Sequence, residues 1–397
     1  MTSIDIPSTT AHPLAGLVGG AGIALSSSLL LYASGRVFGV SGFLHRTVSP
    51  QSLNSSPTTT KVLAQSRNRL GDAFALLDLG IGGWFIGRSS SGSATLALSG
   101  HTLVGTVAAG LLSGIGSKLA GGCTSGHMLS GVSRLSRRSI VATGILGLSS
   151  SLVVQFNQGS LPVVVGHAWV LNRFEKYLAT SILIVLSGSV ALLKVSQIRP
   201  LRNNTRYLSA VYVLVHFLSG IGFGISLGLS GVVSATRVQG FLVTPFRHPE
   251  LFDSTLGFFG LGAIPLASGL YYLAVKLRNE SQRAEKTTQA TPANDNQAVY
   301  NETDPLFTSD SSSSCSVPYL ASKDTWPARG GEIDRRLVLG SILFGAGWGL
   351  RGICPGPAVV NLGTSLYGVF TSGRLLDSSY WTVWLLAFLA GGKIVPK

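Results

Sequence analysis

Long apolar stretches, each closed by a short polar or basic segment, dominate the chain. They fall at roughly 14–33, 71–88, 96–118, 139–156, 177–195, 208–229, 255–275, 336–350, 357–372 and 379–394. Several come close to the ~20 residues a helix needs to cross the hydrocarbon of a bilayer, and no soluble core accommodates so many. The predicted fold is an all-α polytopic membrane protein of about nine to ten transmembrane helices.

The polar segments between the stretches are unequal. Residues 278–332 are rich in Ser, Thr, Asn, Gln and acidic side chains and include a serine run at 311–314. They carry too little apolar surface to fold alone, which predicts a disordered cytoplasmic linker. A smaller Ser/Thr-rich insertion occupies about 49–67. The apolar patch 161–171, with Pro162, His167 and Trp169, is too short to span and is expected as an outside, partly re-entrant or interfacial piece. Residues 1–200 then form a first membrane repeat, 201–277 begin a second, and 333–397 complete it.

Charge sets the orientation. Lys and Arg gather at Arg36, Arg46, Lys61, Arg67 and Arg69, at Arg134, Arg137 and Arg138, at Arg199, Arg202 and Arg206, and at Arg278, Arg283 and Lys286. These fall on alternate loops, and the positive-inside rule places them inside with the N-terminus outside. The net charge of +14 therefore needs no nucleic-acid partner. A mean hydropathy of +0.40 and only 12% charged residues agree with the bilayer as solvent. The 50 glycines suit closely packed spans and irregular segments around a cavity. No Lys or Arg precedes Arg36, so the first stretch lacks the charged region of a cleavable signal and is expected to remain as a span. The plasma membrane is the default location.

The two halves share landmarks in the same order. The segment 19–39 ends Arg36-Val37-Phe38-Gly39, and 220–240 ends Arg237-Val238-Gln239-Gly240. In each half the third span runs into a glycine-flanked cysteine: Gly121-Gly122-Cys123, and Gly352-Ile353-Cys354. Five spans per half, an odd number, turn the second half upside down relative to the first, the inverted-repeat plan of many transporters. Cys123 then approaches from the inner side and Cys354 from the outer.

These two loops carry the candidate chemistry. Gly121-Gly122-Cys123-Thr124-Ser125-Gly126-His127 combines flexible backbone with a thiol, hydroxyls and an imidazole. In Arg351-Gly352-Ile353-Cys354-Pro355-Gly356-Pro357 the prolines forbid a continuous helix and favour a new start after Cys354. Free N–H groups and the positive dipole end at such a start attract anions without a full countercharge. The three cysteines, Cys123, Cys315 and Cys354, show no CxxC or CxxH spacing, so no disulfide framework, metal site or other cofactor is expected.

Together the two loops resemble the signature segments of the YeeE/YedE family of sulfur-compound transport proteins, and 217–241, ending in RVQGF, resembles that family's second-half repeat. The resemblance implies an hourglass-shaped permease with central cysteine loops and thiosulfate as the partner, passed by weak S–H hydrogen bonds. By motif that role falls on Cys123 and Cys354, with Gly121, Gly122, Gly126, His127, Gly352, Pro355, Gly356 and Pro357 shaping the path. Family members that carry thiosulfate use a third cysteine in the first repeat, and this chain has none before Cys123. Ser26–28, Ser34 or Ser41 then supplies a hydroxyl instead, or the substrate differs.

Blander readings stand beside these. A cysteine in a membrane helix is usually a small apolar filler, and His127 serves equally as a packing or capping residue. Arg351 either lines the outer mouth or marks a topology boundary, and Asp78 is the one acidic residue in a span with a prospect of ion coupling. The competing class is a membrane thiol enzyme that takes sulfur as a persulfide and passes it to a soluble cytoplasmic carrier. No paired acid or base stands beside the cysteines to favour it.

Overall fold

The computed structural model describes residues 8–34, 36–48, 59–88, 102–156, 161–171, 205–243, 247–289, 331–373 and 375–396, with isolated positions between 173 and 187. Most of the expected span 177–195, most of the linker and Cys315 lie outside the described residues.

Helices dominate. They are α1 (Pro13–Ser34), α2 (Val40–Val48), α3 (Thr59–Gly87), α4 (Leu103–Ala120), a π-helix (Ser125–Gly131) and α5 (Arg137–Gln155) in the first half. The second half holds α6 (Thr205–Leu229), α7 (Ala235–Leu242), α8 (Thr255–Gln289), α9 (Arg335–Arg351), α10 (Pro355–Ser372) and α11 (Leu375–Ile394). Among the described residues six stretches are long and apolar enough to cross a bilayer. The chain is an integral, multi-pass membrane protein.

Three boundaries differ from the sequence expectation. α3 begins at Thr59, inside the proposed insertion, where Lys61, Leu63, Ala64, Gln65 and Arg67 are good helix formers; Arg69 also donates to the Thr47 carbonyl at the end of α2 (3.2 Å). α8 continues to Gln289, past the point where a linker was expected. Part of the patch 161–171, expected as a re-entrant or interfacial piece, forms a strand: β2 (Val163–His167) pairs in parallel with β1 (Ser8–Ala11). Val163, Val164 and Val165 favour that extended backbone. The short helices α2 and α7 had no counterpart in the hydrophobic pattern, because neither is long enough to span.

Small residues set how the helices meet. Gly16 lies against Thr255 and Phe259, and Gly20 against Phe259 and Ala263, so α1 and α8 run in the same direction at close approach. Gly220 meets Ala75 and Asp78, and Gly224 meets Leu79 and Gly82, so α3 and α6 do the same. α1 and α6 run oppositely, with Gly19 against Ser226 and Ser230 and Gly222 against Ser26. α4 and α9 also run oppositely, with Gly116 against Phe344 and Gly340, and Gly347 against Ala109 and Ser113. α11 flanks α4 as α5 flanks α9. The core between them holds Phe38, Phe43, Phe223, Phe344, Trp348, Trp384 and Phe388, all buried.

Candidate functional site

Both cysteine loops begin the same way. α4 ends on Gly121 at φ +74° and α9 ends on Gly352 at φ +63°, the left-handed cap that glycine adopts without a Cβ penalty. Each cap reverses the chain, and the cysteine follows two residues later.

Cys354 is the N-cap of α10, in extended conformation, and Pro355 occupies the first helical position where no N–H is needed. Its thiol is hydrogen-bonded to the Thr124 hydroxyl and to the Gly356 N–H. Cys123 is 1% exposed, and its Sγ lies 3.2 Å from Ser125 Oγ. Ser125 Oγ in turn accepts from the Val40 N–H at the start of α2 (3.3 Å). Two loops far apart in sequence thus bring their thiols and hydroxyls to one place.

That place is a cavity of about 50 Å³. A water needs roughly 10–15 Å³ in the same measure, so a few waters or one small ion can occupy it. Thr124, Ser125, Cys354, Gly356 and Pro357 supply its polar and backbone lining; Ile23, Phe223, Phe259 and Trp348 supply apolar walls. None of the described residues lining it is charged. Hydrogen bonds from thiols, hydroxyls and backbone N–H groups hold an anion weakly, at roughly 1 kcal/mol net each.

Of the residues singled out in the sequence, Cys354, Gly356 and Pro357 line the cavity, and Cys123 stands one side chain behind it on Ser125. Gly121, Gly122, Gly126, Gly352 and Pro355 shape the loops without lining it. His127 faces away. Its Nε2 lies 3.2 Å from the Ala120 carbonyl and its Nδ1 3.2 Å from Ser139 Oγ. A carbonyl only accepts, so Nε2 carries the proton and Nδ1 accepts from the Ser139 hydroxyl. With both nitrogens engaged, His127 holds the loop against α4 and α5. Arg351 is 9% exposed and donates to Thr102 Oγ1 (3.0 Å), joining the end of α9 to the start of α4.

Thr124 and Ser125, read in the sequence as the hydroxyls of the first loop, both line the cavity beside Cys354. Other residues escaped the sequence reading. Arg36 and Arg46, taken as topology charges, both pair with Asp72, which is fully buried. Arg237 pairs with the buried Asp253 at 3.6 Å. The signal was present: each half has an RV-x-G segment and, further along the chain, an Asp beside the start of an expected span, Asp72 for 71–88 and Asp253 for 255–275. Gln239 donates to the carbonyls of Gly349 (2.9 Å) and Leu350 (3.2 Å), satisfying the end of α9 just before Cys354.

The model of the sulphur transport family matches residues 6–151, and the model of a family of unknown function matches residues 314–376. A probable transporter of Xylella fastidiosa strain 9a5c is 32% identical over 142 residues, which are 35% of this chain and 91% of that protein. The chain belongs to the sulphur transport family. A second probable transporter, from Xylella fastidiosa strain Temecula1, is 62% identical over 37 residues, 9% of this chain and 25% of that protein. The chain thus spans about a quarter of the length of that relative. No solved structure matches the chain. In this member of the sulphur transport family the two matched segments each contain one cysteine loop, and the relative matched over 91% of its length is well under half the length of the chain.

Proposed function

We propose that this protein is a plasma-membrane permease that takes up thiosulfate or a closely related small sulfur anion. The observation that carries the reading is the meeting of Cys354, Thr124, Ser125 and Cys123 around one uncharged cavity. Thiosulfate offers a soft terminal sulfur and three oxygens, and this lining offers the soft Cys354 thiol beside hard hydroxyl and N–H donors, with Cys123 one side chain behind. Donors of this kind release what they bind, as transit requires. No covalent step is needed.

Access from two sides is part of the proposal. The two halves are read as inverted repeats, 1–200 and 201–397, around a shared centre. Support comes from α1 and α6 running oppositely, from α4 and α9 doing the same, and from the matched packing of α1 on α8 and α3 on α6. Equivalent helices that run oppositely are what a two-fold axis in the membrane plane produces. A relative well under half the length of the chain agrees with one repeat being a unit.

The test is uptake of thiosulfate carrying distinct labels on its two sulfur atoms, by proteoliposomes with matched amounts of wild type, Cys123→Ala, Cys354→Ala and Cys315→Ala. Uptake of the intact ion, lost in the first two variants and kept in the third, supports the reading. Uptake kept in all three overturns the cysteine path, and separation of the two labels points instead to sulfur transfer onto a carrier.

A further inference from the structure

The thiol cavity is not the last polar place on the path. A second, smaller cavity of about 20 Å³ lies next to it, lined by Ser27, Ser28, Ser130, Ser133, Arg134 and Tyr271. The two share a wall. Phe223 lines the first and Phe38 the second, and their rings stack at 4.1 Å with 7° between planes. The π-helix lines both in succession, Met128 and Leu129 facing the first and Ser130 the second.

Arg134 makes this second cavity different in kind. Its Nε donates to the Ser130 carbonyl (2.7 Å), which fixes the guanidinium plane. Its NH1 nitrogen is buried and has no hydrogen-bond partner among the described residues. Leaving a charged donor buried and unsatisfied costs more than the 1–3 kcal/mol of a neutral one. The backbone beside it is also strained: Leu135 holds φ +55°, a left-handed conformation uncommon for a residue with a Cβ. A strained turn, and an unsatisfied guanidinium nitrogen on a residue that lines a cavity with four serines and a tyrosine, are poorly explained by packing or by topology charge.

We propose that this cavity is a second binding site for a small divalent oxyanion, with Arg134 as its charge and the Ser28 hydroxyl as its hydrogen-bond donor, since Ser27, Ser130 and Ser133 already donate to the carbonyls of Ala24, Phe38 and Leu129. At about 20 Å³ the site as it stands has room for one water, so the anion enters as Phe38 or Tyr271 turns aside. The inference rests on the permease reading: an ion leaving the neutral thiol cavity meets a positive site behind the Phe38–Phe223 pair. A charged site draws the ion onward, and the aromatic pair keeps the two cavities from being continuous while it is closed.

The experiment is equilibrium binding of radiolabelled thiosulfate to the full chain in lipid nanodiscs, alongside uptake in proteoliposomes. In a Cys123→Ala/Cys354→Ala background, binding is expected to remain. Adding Arg134→Gln is expected to weaken it roughly tenfold to a hundredfold, and Arg134→Lys to restore most of it. Binding unchanged in Arg134→Gln, with uptake still dependent on the cysteines, overturns the site and leaves the permease standing. Binding lost in Arg134→Gln and regained in Arg134→Lys, while uptake proves independent of both cysteines, supports the site and overturns the cysteine path. If Arg134→Gln fails to reach the membrane, Ser28→Ala takes its place. A drop of about threefold to tenfold then supports the site, and none overturns it.

Discussion

The two cysteine loops start from the same left-handed glycine cap and then part company. After Cys354 the chain enters a straight helix of 18 residues whose first turn is built by Pro355 and Pro357. After Cys123 it enters a π-helix of seven residues held by side chains: Ser125 to α2, His127 to α4 and α5, Ser130 to the Phe38 carbonyl. The second loop is thus fixed by backbone chemistry and the first by a set of polar anchors. A π-helix is wider than an α-helix and is often found at functional sites. Here it lets Thr124 and Ser125 face the thiol of the opposite loop.

The same contrast runs through the RV-x-G segments. Where the first half has Phe38, stacked on Phe223, the second has Gln239, bonded to the end of α9. One half places an aromatic wall between cavities, and the other places an amide under its cysteine.

Substitutions can break this comparison, and the largest effect is expected at the glycine caps. A Cβ at Gly352 would overlap the Ala235 carbonyl and sit at positive φ, whereas a Cβ at Gly121 meets only Arg138 NH2, at 3.7 Å. Gly352→Ala is expected to cost about 3 kcal/mol or more and Gly121→Ala about 1 kcal/mol. Thermal unfolding midpoints of the detergent-solubilised variants check this, and equal midpoints would remove the asymmetry.

Next comes the anchor of the first loop. His127→Ala strips two buried hydrogen bonds and leaves a void, so a loss of about 2–3 kcal/mol is expected. Uptake per folded molecule should persist, because the imidazole does not line the cavity. Normal stability with abolished uptake would instead put His127 on the ion's path.

In the second loop, Gln239→Leu leaves the Gly349 and Leu350 carbonyls without their side-chain donor, at about 1–2 kcal/mol. The effect should appear as faster hydrogen exchange confined to the end of α9. The smallest change is expected for Pro355→Ala, about 0.5 kcal/mol through the freedom of the unfolded chain. A drop in uptake from that change alone would show that the stiffness of the helix start matters for passage.

The membrane class, helices over most of the apolar stretches and both cysteine loops were legible in the sequence. Apolar length reports a spanning helix because the bilayer imposes a fixed thickness. Glycine before cysteine, and proline after it, report a cap and a helix start because φ preferences are local. These are properties of neighbours in the chain, so the chain displays them. The helices α2 and α7 were missed because nothing local distinguishes a short helix from a loop of the same composition. Arg36 and Arg46 looked like topology charges because Asp72, their partner, is apart from them in sequence.

What the chain alone determined is therefore the set of elements and the positions where its backbone must turn. Only the tertiary structure decided what those turns bring together: which thiol faces which hydroxyl, that His127 looks away from the cavity, and that Arg134 keeps a nitrogen buried without a partner beside four serines. The physical reason is that side-chain contacts across helices depend on how small residues let those helices approach. That is a property of the pair, and neither helix carries it alone.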